Sequence, residues 1–159
     1  MNALVSAQRA TGERASGTED FVTLTIAEQL FGIPVLQVRD VLGAQRITRV
    51  QLAPPEVAGS LNLRGHIVTA IDMRTRLGLP PRPEGSAAMS IVVELKSELY
   101  SLLVDRVGEV LTVSLADFER HPATIDVRWR EVSSGVYRLK SSLLIKLDIV
   151  RLLDLGIPI

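Results

Sequence analysis

Alternation of apolar and polar side chains predicts β-strands over most of the chain. In the segment from Phe21 to Ile26, apolar residues at positions 22, 24 and 26 recur with the two-residue period of a strand that buries one face. Other short apolar runs are bounded by turn residues and predict strands of similar length. These strands run from His66 to Ile71, from Met89 to Leu95, from Leu99 to Val104, from Val107 to Val113 and from Leu143 to Leu147.

The predicted helices are short, and they begin at residues suited to a helix N-terminus. Pro54 and Pro55 favour a helical turn over residues 56–60, because proline fits the first turn of a helix. Asp72 and Asp148 are placed as N-caps of two further short helices. The chain is therefore expected to be all-β, with helices of one or two turns.

The same order of features occurs twice along the chain, which predicts an internal repeat. Residues 31–41 align with residues 100–110, and residues 59–72 align with residues 135–148. Each copy contains strands, a glycine, a basic residue, another strand and an aspartate that caps a helix. We expect two small barrel-like units, each with its own core, that pack together because a unit of this size is marginally stable alone.

The repeat and a proline-rich linker between its copies set the expected domain boundaries. The folded domain is expected over residues 19–155, with a first barrel over about 30–85 and a second over about 89–147. Exchange of strands between the barrels at their ends is left open. The polar, unpatterned residues 1–18 are expected to be a disordered tail, and residues 156–159 a short C-terminal tail.

Composition and charge exclude several classes of function. The chain is 47% apolar and 4% aromatic, has 18 basic and 18 acidic residues, and has no cysteine. A neutral chain lacks the positive charge that binds phosphate backbones, so nucleic acid is not an expected partner. The two histidines, His66 and His121, are not at a metal-ligand spacing, and no nucleophile–base pair is recognisable. The sequence therefore predicts no catalysis, no metal site and no cofactor.

The sequence shows no pattern typical of a membrane or secreted protein. No apolar run approaches the roughly 18 residues that cross a bilayer, and the first residues lack the apolar core of a secretory signal. We expect a cytoplasmic protein without direct membrane insertion.

A polar segment in the first copy of the repeat is the clearest candidate for an interaction surface. If the chain is extended here, Asn62, Arg64 and His66 project from one face, and Leu63 and Ile67 from the other. Two interpretations stay open. The segment is either a polar entry to a strand beside a turn glycine, or an interaction face on which Arg64 is an oriented hydrogen-bond donor.

Several short motifs, in this order and spacing, resemble a known family from about Phe21 to Leu155. The motifs are Phe31-Gly32-Ile33, Val38-Arg39-Asp40-Val41, Ile47-Thr48-Arg49-Val50, Ala53-Pro54-Pro55, Asn62-Leu63-Arg64-Gly65, Ile71-Asp72-Met73-Arg74, Leu103-Val104-Asp105-Arg106-Val107-Gly108-Glu109-Val110 and Leu144-Ile145-Lys146-Leu147-Asp148. The family is CheW, the adaptors of bacterial chemosensory arrays. The resemblance implies two SH3-like barrels of five strands each and no catalytic activity.

The resemblance also implies partners and the residues that contact them. The chain would bridge the cytoplasmic tips of methyl-accepting chemoreceptors and the regulatory domain of the histidine kinase CheA, and further CheW-like proteins are additional expected partners. By motif, the residues that would face the kinase are Val38, Asp40, Val41, Gly59 and Arg64. The residues that would contact the receptor tip, in an apolar groove between the barrels, are Asn62, Arg64, Val104 and Val107. Arg64 is implied in signal transmission and in an ion pair with Asp40.

Several positions depart from the family pattern, namely Ser60 in the first copy and Gly108, Lys146 and Ser133-Ser134 in the second. Gly108 stands where serine is commoner, and Lys146 lies inside a strand that is usually apolar throughout. A buried unpaired amine is strongly destabilising, so Lys146 must reach solvent or a partner. These departures affect the expected contacts of the second barrel more than those of the first.

The same fold is compatible with a different class of function. A regulatory module that binds a peptide or a small ligand would share the barrels but not the partners of the receptor array. Binding to a CheA regulatory domain discriminates between these two hypotheses.

Overall fold

The computed structural model describes residues 17–123 and 125–154 of the 159-residue chain. Eleven strands and short helical turns make up this part of the chain, which confirms the predicted all-β class. The strands are β1 (Thr18–Ile26), β2 (Gln29–Pro34), β3 (Val38–Leu42), β4 (Val57–Leu63), β5 (His66–Asp72), β6 (Met89–Leu95), β7 (Glu98–Val104), β8 (Arg106–Ser114), β9 (Phe118–Glu119), β10 (Ser133–Arg138) and β11 (Leu143–Leu147). The α-helical turns are α1 (Met73–Arg76), α2 (Val127–Arg130) and α3 (Ile149–Leu152).

The predicted tails fall almost entirely outside the described residues. The exceptions are Gly17, which lies in a turn, and Thr18, which begins β1. Within the described ranges, no helix is long and apolar enough to cross a membrane.

The strands form two sheets. The five-stranded sheet has the order β3-β6-β7-β5-β4, and the six-stranded sheet has the order β8-β1-β2-β11-β10-β9. Neighbouring strands are antiparallel except in the pairs β5–β7 and β2–β11, which are parallel. The sixth strand, β9, is only two residues long and pairs with β10, so each sheet contains five longer strands, as predicted.

Each sheet combines strands from both copies of the repeat. β6 and β7 belong to the second copy but join the five-stranded sheet, whereas β1 and β2 belong to the first copy but join the six-stranded sheet. The sheets therefore differ from the expected barrels of residues 30–85 and 89–147, because each copy exchanges a whole hairpin. Short connections favour this exchange: Asp105 alone separates β7 from β8, so the chain passes directly from one sheet into the other.

The helical turn predicted over residues 56–60 is wrong. β4 occupies this region and pairs with β5, with a bulge between Val57 and Gly59. Gly59 has a φ of +151°, and a Cβ atom there would collide with the Thr48 carbonyl oxygen. Thr48 and Ser60 exchange two backbone hydrogen bonds of 2.8 Å. Pairing between extended segments therefore satisfies backbone N–H and C=O groups that would otherwise bond within a helix.

Equivalent positions of the repeat have equivalent conformations. Gly59 and Gly135 both lie at bulges, with φ values of +151° and +154°. The carboxylates of Asp72 and Asp148 accept backbone N–H groups of α1 and α3 at 3.0 and 3.2 Å. These contacts confirm the predicted N-caps and the internal repeat.

Three clusters of buried apolar side chains stabilise the fold. The largest contains residues of both sheets, such as Phe31 of β2 and Leu102 of β7. A second cluster surrounds Phe21 and Tyr137 of the six-stranded sheet, and a third surrounds Leu61 of the five-stranded sheet. The expectation of two separate cores is therefore incomplete, because a larger core is shared between the sheets and holds them together.

A largely buried ion pair lies at the crossing between the sheets. The Asp105 carboxylate accepts hydrogen bonds from Nε and Nη2 of Arg74 at 3.0 and 2.7 Å, and from the Ala27 backbone N–H at 2.8 Å. The Nε atom of Arg82 lies 3.4 Å from the same carboxylate. The hydrogen bonds from Arg74 lower the pKa of Asp105, and Asp105 raises the pKa of Arg74. One side chain thus joins α1, the β1–β2 turn and the linker between the copies.

Replacing Asp105 by asparagine is expected to lower the free energy of unfolding by about 2–4 kcal/mol, because Arg74 stays largely buried without its counter-charge. Since the folded-state pKa of Asp105 is depressed, the pair stabilises the fold above the pKa of the unfolded chain, about 4. This contribution is lost as the pH falls through the folded-state pKa. The difference between wild type and variant should therefore shrink in acid, which chemical denaturation at neutral and acidic pH measures.

The matched control is Asp126→Asn, which breaks the exposed ion pair between Asp126 and Arg128. This variant is expected to change stability much less than Asp105→Asn does, because exposed pairs are screened by solvent. Equal losses in the two variants would contradict the role assigned to Asp105.

Candidate functional site

A shallow depression on the five-stranded sheet brings Asp40 and Arg64 together. Charged side chains of both signs surround an apolar floor, a combination that suits recognition of another protein. The residues that line it are Arg39, Asp40, Leu63, Arg64, His66, Val92, Glu94 and Leu99. They come from β3, β6, the start of β7 and the hairpin of β4 and β5.

Arg64 occupies the two-residue turn between β4 and β5. Its φ is +52° and that of Gly65 is +87°, values typical of a tight hairpin turn. The Asn62 side-chain oxygen accepts the Gly65 backbone N–H at 2.9 Å and fixes the turn. The chain is therefore not extended here, and the predicted common face of Asn62, Arg64 and His66 is wrong. Asn62 lies opposite Ile67 in the hairpin, which places it on the other face from His66.

The ion pair implied between Arg64 and Asp40 is present at the surface. Nη2 of Arg64 lies 3.4 Å from Oδ2 of Asp40, and the two side chains are 79% and 27% exposed. The other carboxylate oxygen of Asp40 accepts the Val41 backbone N–H at 2.9 Å, which orients the group. Arg39 and Glu94 form a second exposed pair at 2.8 Å in the same depression. Such exposed pairs add little stability, so their charges remain available to a partner.

Two other residues expected to face the kinase have buried positions. Val38 is 8% exposed and belongs to the core shared by the sheets. Gly59 is buried beneath Ile47 and Thr48, where it permits close approach of the backbone. Val41 is half-buried and packs against the shared core. Of this predicted set, Asp40 and Arg64 therefore supply the side chains at the depression.

The residues expected to contact the receptor are not brought together. Val104 is fully buried in the shared core, and Val107 is half-buried against it. Parallel pairing places the end of β7 beside Asp72, at the far end of β5 from Asn62 and Arg64. The seven residues of β5 span roughly 20 Å, so Val104 and Arg64 belong to different regions of the molecule. The apolar groove expected near Val104 is filled by the shared core.

An exposed apolar residue, Ile67, lies beside the site and on the same face as Asn62, which the sequence did not predict. Ile67 is 79% exposed and lies opposite Asn62 in the hairpin. Treating Arg64 and Gly65 as a two-residue turn would have placed these two side chains on one face, because a hairpin pairs the residues that flank its turn. The surface at this end of the sheet is therefore partly apolar.

Lys146 finds a partner within the six-stranded sheet. Its Nζ atom lies 3.0 Å from a Glu19 carboxylate oxygen and 5.8 Å from the centre of the Phe21 ring. The Tyr137 hydroxyl donates to the same carboxylate at 2.8 Å, and burial together with Glu19 raises the pKa of Tyr137. Glu19 thus explains how a lysine is tolerated in β11.

Gly108 makes room for a neighbouring threonine. A Cβ atom at position 108 would lie 2.6 Å from Oγ1 of Thr23. The Thr23 hydroxyl donates to the backbone carbonyl of Glu109, within the bulge where β1 pairs with β8. The departure at Gly108 therefore has a local packing cause.

No group of three potential metal ligands is found in the described parts of the chain. The charged side chains around the depression form ion pairs at the protein surface. The arrangement around Asp40 and Arg64 is suited to binding a protein with complementary charges.

Replacing Val38 by aspartate is expected to lower the free energy of unfolding by more than about 3 kcal/mol, because an unpaired carboxylate would enter the core. Arg64→Ala is expected to change it by less than about 1 kcal/mol, because the pair with Asp40 is exposed. Thermal and chemical denaturation measure both. A stable Val38→Asp variant would return Val38 to the surface set, and a large loss in Arg64→Ala would make Arg64 a structural residue.

Comparison with known proteins agrees with this fold. Residues 20–156 match a family model described as the CheW-like domain. The chain is 30% identical to the chemotaxis protein CheW of Rhizobium meliloti over 137 residues, which cover 85% of this chain and 88% of that protein. It is 27% identical to the chemotaxis protein CheW of Klebsiella aerogenes over 154 residues, 97% of this chain and 92% of that protein.

A solved structure shows the same fold. The crystal structure of the scaffolding protein TtCheW from Thermoanaerobacter tengcongensis is similar with a TM-score of 0.77 at 27% identity. The similarity covers 87% of this chain and 94% of that chain. The family match spans both sheets and the depression around Asp40 and Arg64. The chain therefore belongs to the CheW-like domain family.

Proposed function

We propose that this chain is a non-catalytic chemotaxis adaptor that couples the cytoplasmic tips of chemoreceptors to the regulatory domain of CheA. Its family membership supports the adaptor role, since the relatives are named chemotaxis protein CheW and the structural relative is a scaffolding protein. These partners would place the chain in the cytoplasm beside membrane receptors.

The exposed Asp40–Arg64 pair is the observation that carries the kinase-facing part of the proposal. The pair lies at the rim of a depression whose floor contains Leu63 and Leu99. A partner that supplies an apolar side chain and one charge of each sign would bury the floor and extend the ion pair into a network. Val38 and Gly59 would act beneath this surface, by holding β3 and β4 in place.

Signal coupling requires only that the contacts differ between two states of the receptor. The Arg64 side chain is long, charged and 79% exposed, so it can change partners at little cost to the fold. A receptor movement that shifts Arg64 from Asp40 toward an acidic residue of the kinase would change the geometry of the complex. Such differential contacts are sufficient to bias kinase activity.

The receptor tip is proposed to contact the region where the sheets meet, near Val107. Val107 is half-buried and packs against the core that contains Val104. A displacement of β8, which contains Val107, would be transmitted to the five-stranded sheet through the shared core. Val104 would then act as a supporting core residue and not as a contact.

Arg64→Ala is expected to weaken binding to a CheA regulatory domain by about tenfold, the effect of losing one well-placed charge. Titration calorimetry with the purified kinase domain measures the change. The expected change is larger at low salt than at high salt, because the lost interaction is electrostatic.

The matched control is Arg138→Ala on the six-stranded sheet. Arg138 forms a comparable exposed pair with Glu119 at 2.6 Å, and its side chain is 66% exposed. This variant should bind the kinase domain as wild type does. Equal weakening in both variants would move the interface away from Arg64, and a wild-type chain that binds neither the kinase domain nor a receptor tip would favour a peptide- or ligand-binding module.

A further inference from the structure

The two copies of the repeat cannot form their sheets separately. In the described residues, the first copy supplies β1 to β5 and the second supplies β6 to β11. Within one copy, only hairpin neighbours pair, whereas β1–β8, β2–β11, β3–β6 and β5–β7 all join the two copies. Each copy alone therefore consists of separate hairpins and a single unpaired strand, and its missing neighbours come from the other copy.

The contacts between the copies include much of the core and a largely buried ion pair. The shared core contains residues of both copies, and Asp105 of the second copy binds Arg74 of the first. Arg76 of the first copy donates to the carbonyl oxygen of Leu152 in α3 at 2.7 Å. Glu19 of the first copy accepts hydrogen bonds from the second. The interface between the copies thus has the character of a domain interior.

A single exposed segment connects the copies. Every residue from Pro80 to Ala87 is exposed except Arg82. The segment turns back at Gly85, which has a φ of +86° and open space around its Cβ position. Its other turn contacts are hydrogen bonds from the Ser86 N–H and hydroxyl to the Pro83 carbonyl oxygen. The three prolines of the segment, at positions 80, 81 and 83, favour an extended backbone instead of this turn.

We propose that two molecules of this chain exchange their copies through the segment of residues 80–87. In the exchanged dimer, the first copy of each molecule would pair with the second copy of the other. Every contact between the copies outside this segment would be the same as in the monomer, whereas the segment would change from a turn to an extended strand and the contact of Arg82 with Asp105 would change with it. The partner is thus a second molecule of the same chain.

This proposal does not depend on the proposed adaptor function. The balance between monomer and dimer depends on strain in the turn and on protein concentration, because the remaining interactions are equal in the two forms. The dimer would present two surfaces around Asp40 and Arg64, linked by two extended segments. A partner domain could therefore be bound twice by one particle.

A charge-reversal experiment tests the exchange directly. Arg74→Asp and Asp105→Arg each place like charges face to face within a monomer. In an exchanged dimer of the two variants, one interface regains the wild-type pair and the other contains the reversed pair. The variants refolded together are expected to form a dimer that contains both chains, measured by size-exclusion chromatography with light scattering and by mass spectrometry.

The chain that carries both reversals is the control for this experiment. If it folds while the mixed single variants form no dimer of both chains, the proposal is overturned. If it fails to fold, the reversed pair is not tolerated, and the Gly85→Ala and Gly65→Ala variants then decide whether the copies exchange.

Gly85→Ala is expected to raise the ratio of dimer to monomer by about tenfold after refolding at high protein concentration, because alanine disfavours the positive φ of the closed turn but not the extended segment. Gly65→Ala is the matched control, since Gly65 has a φ of +87° and equally open space but lies in the turn between β4 and β5. The control should leave the ratio unchanged. An unchanged ratio in both variants, or an equal increase in both, would overturn the proposal.

Discussion

The arrangement of the two sheets depends on the Asp105 carboxylate, which lies where the chain crosses from one sheet to the other. Its hydrogen bonds reach Arg74, just after β5, and Ala27, just after β1, and these two strands belong to different sheets. Both charged side chains are largely buried, at 14% and 19% exposure, so each needs the other to remain stable in this position. The carboxylate therefore fixes the crossing point, and the shared core packs around it.

The degree of burial distinguishes the ion pairs that stabilise the fold from those that can take part in binding a partner. Asp105–Arg74 is largely buried and joined by two hydrogen bonds, whereas Asp40–Arg64 is more exposed and its charged atoms are 3.4 Å apart. The first pair would be strongly destabilising to break, but the second can be rearranged at little cost. The fold thus holds its two copies together at one end of β5 and presents an adaptable charged surface at the other.

Local patterns predict the elements of this fold better than their long-range partners. Alternation identifies the strand after Phe21, and the cap at Asp72 follows from residue type and position. The exchange of hairpins depends on contacts between distant segments, which no short pattern contains. Val38 shows the same limit at the site, because an apolar residue in a motif is suited to a surface or a core until its tertiary neighbours are known. At Arg64 the sequence leaves an extended face and a turn at Gly65 both open, and the positive φ values of Arg64 and Gly65 show the turn.

The two sheets have also diverged in packing. Phe21 and Tyr137 of the six-stranded sheet pack with ring centres 5.4 Å apart. The repeat places Ser90 at the position equivalent to Phe21, and Leu61 at the position equivalent to Tyr137. In the described structure, the buried hydroxyls of Ser90 and Ser101 in the five-stranded sheet find no hydrogen-bond partner, and neither does that of Ser133 in the six-stranded sheet. A cluster of smaller, aliphatic side chains such as that around Leu61 stabilises less than an aromatic one. The five-stranded sheet, which carries the Asp40–Arg64 surface, is therefore the sheet in which a partner can shift a strand at the lower cost.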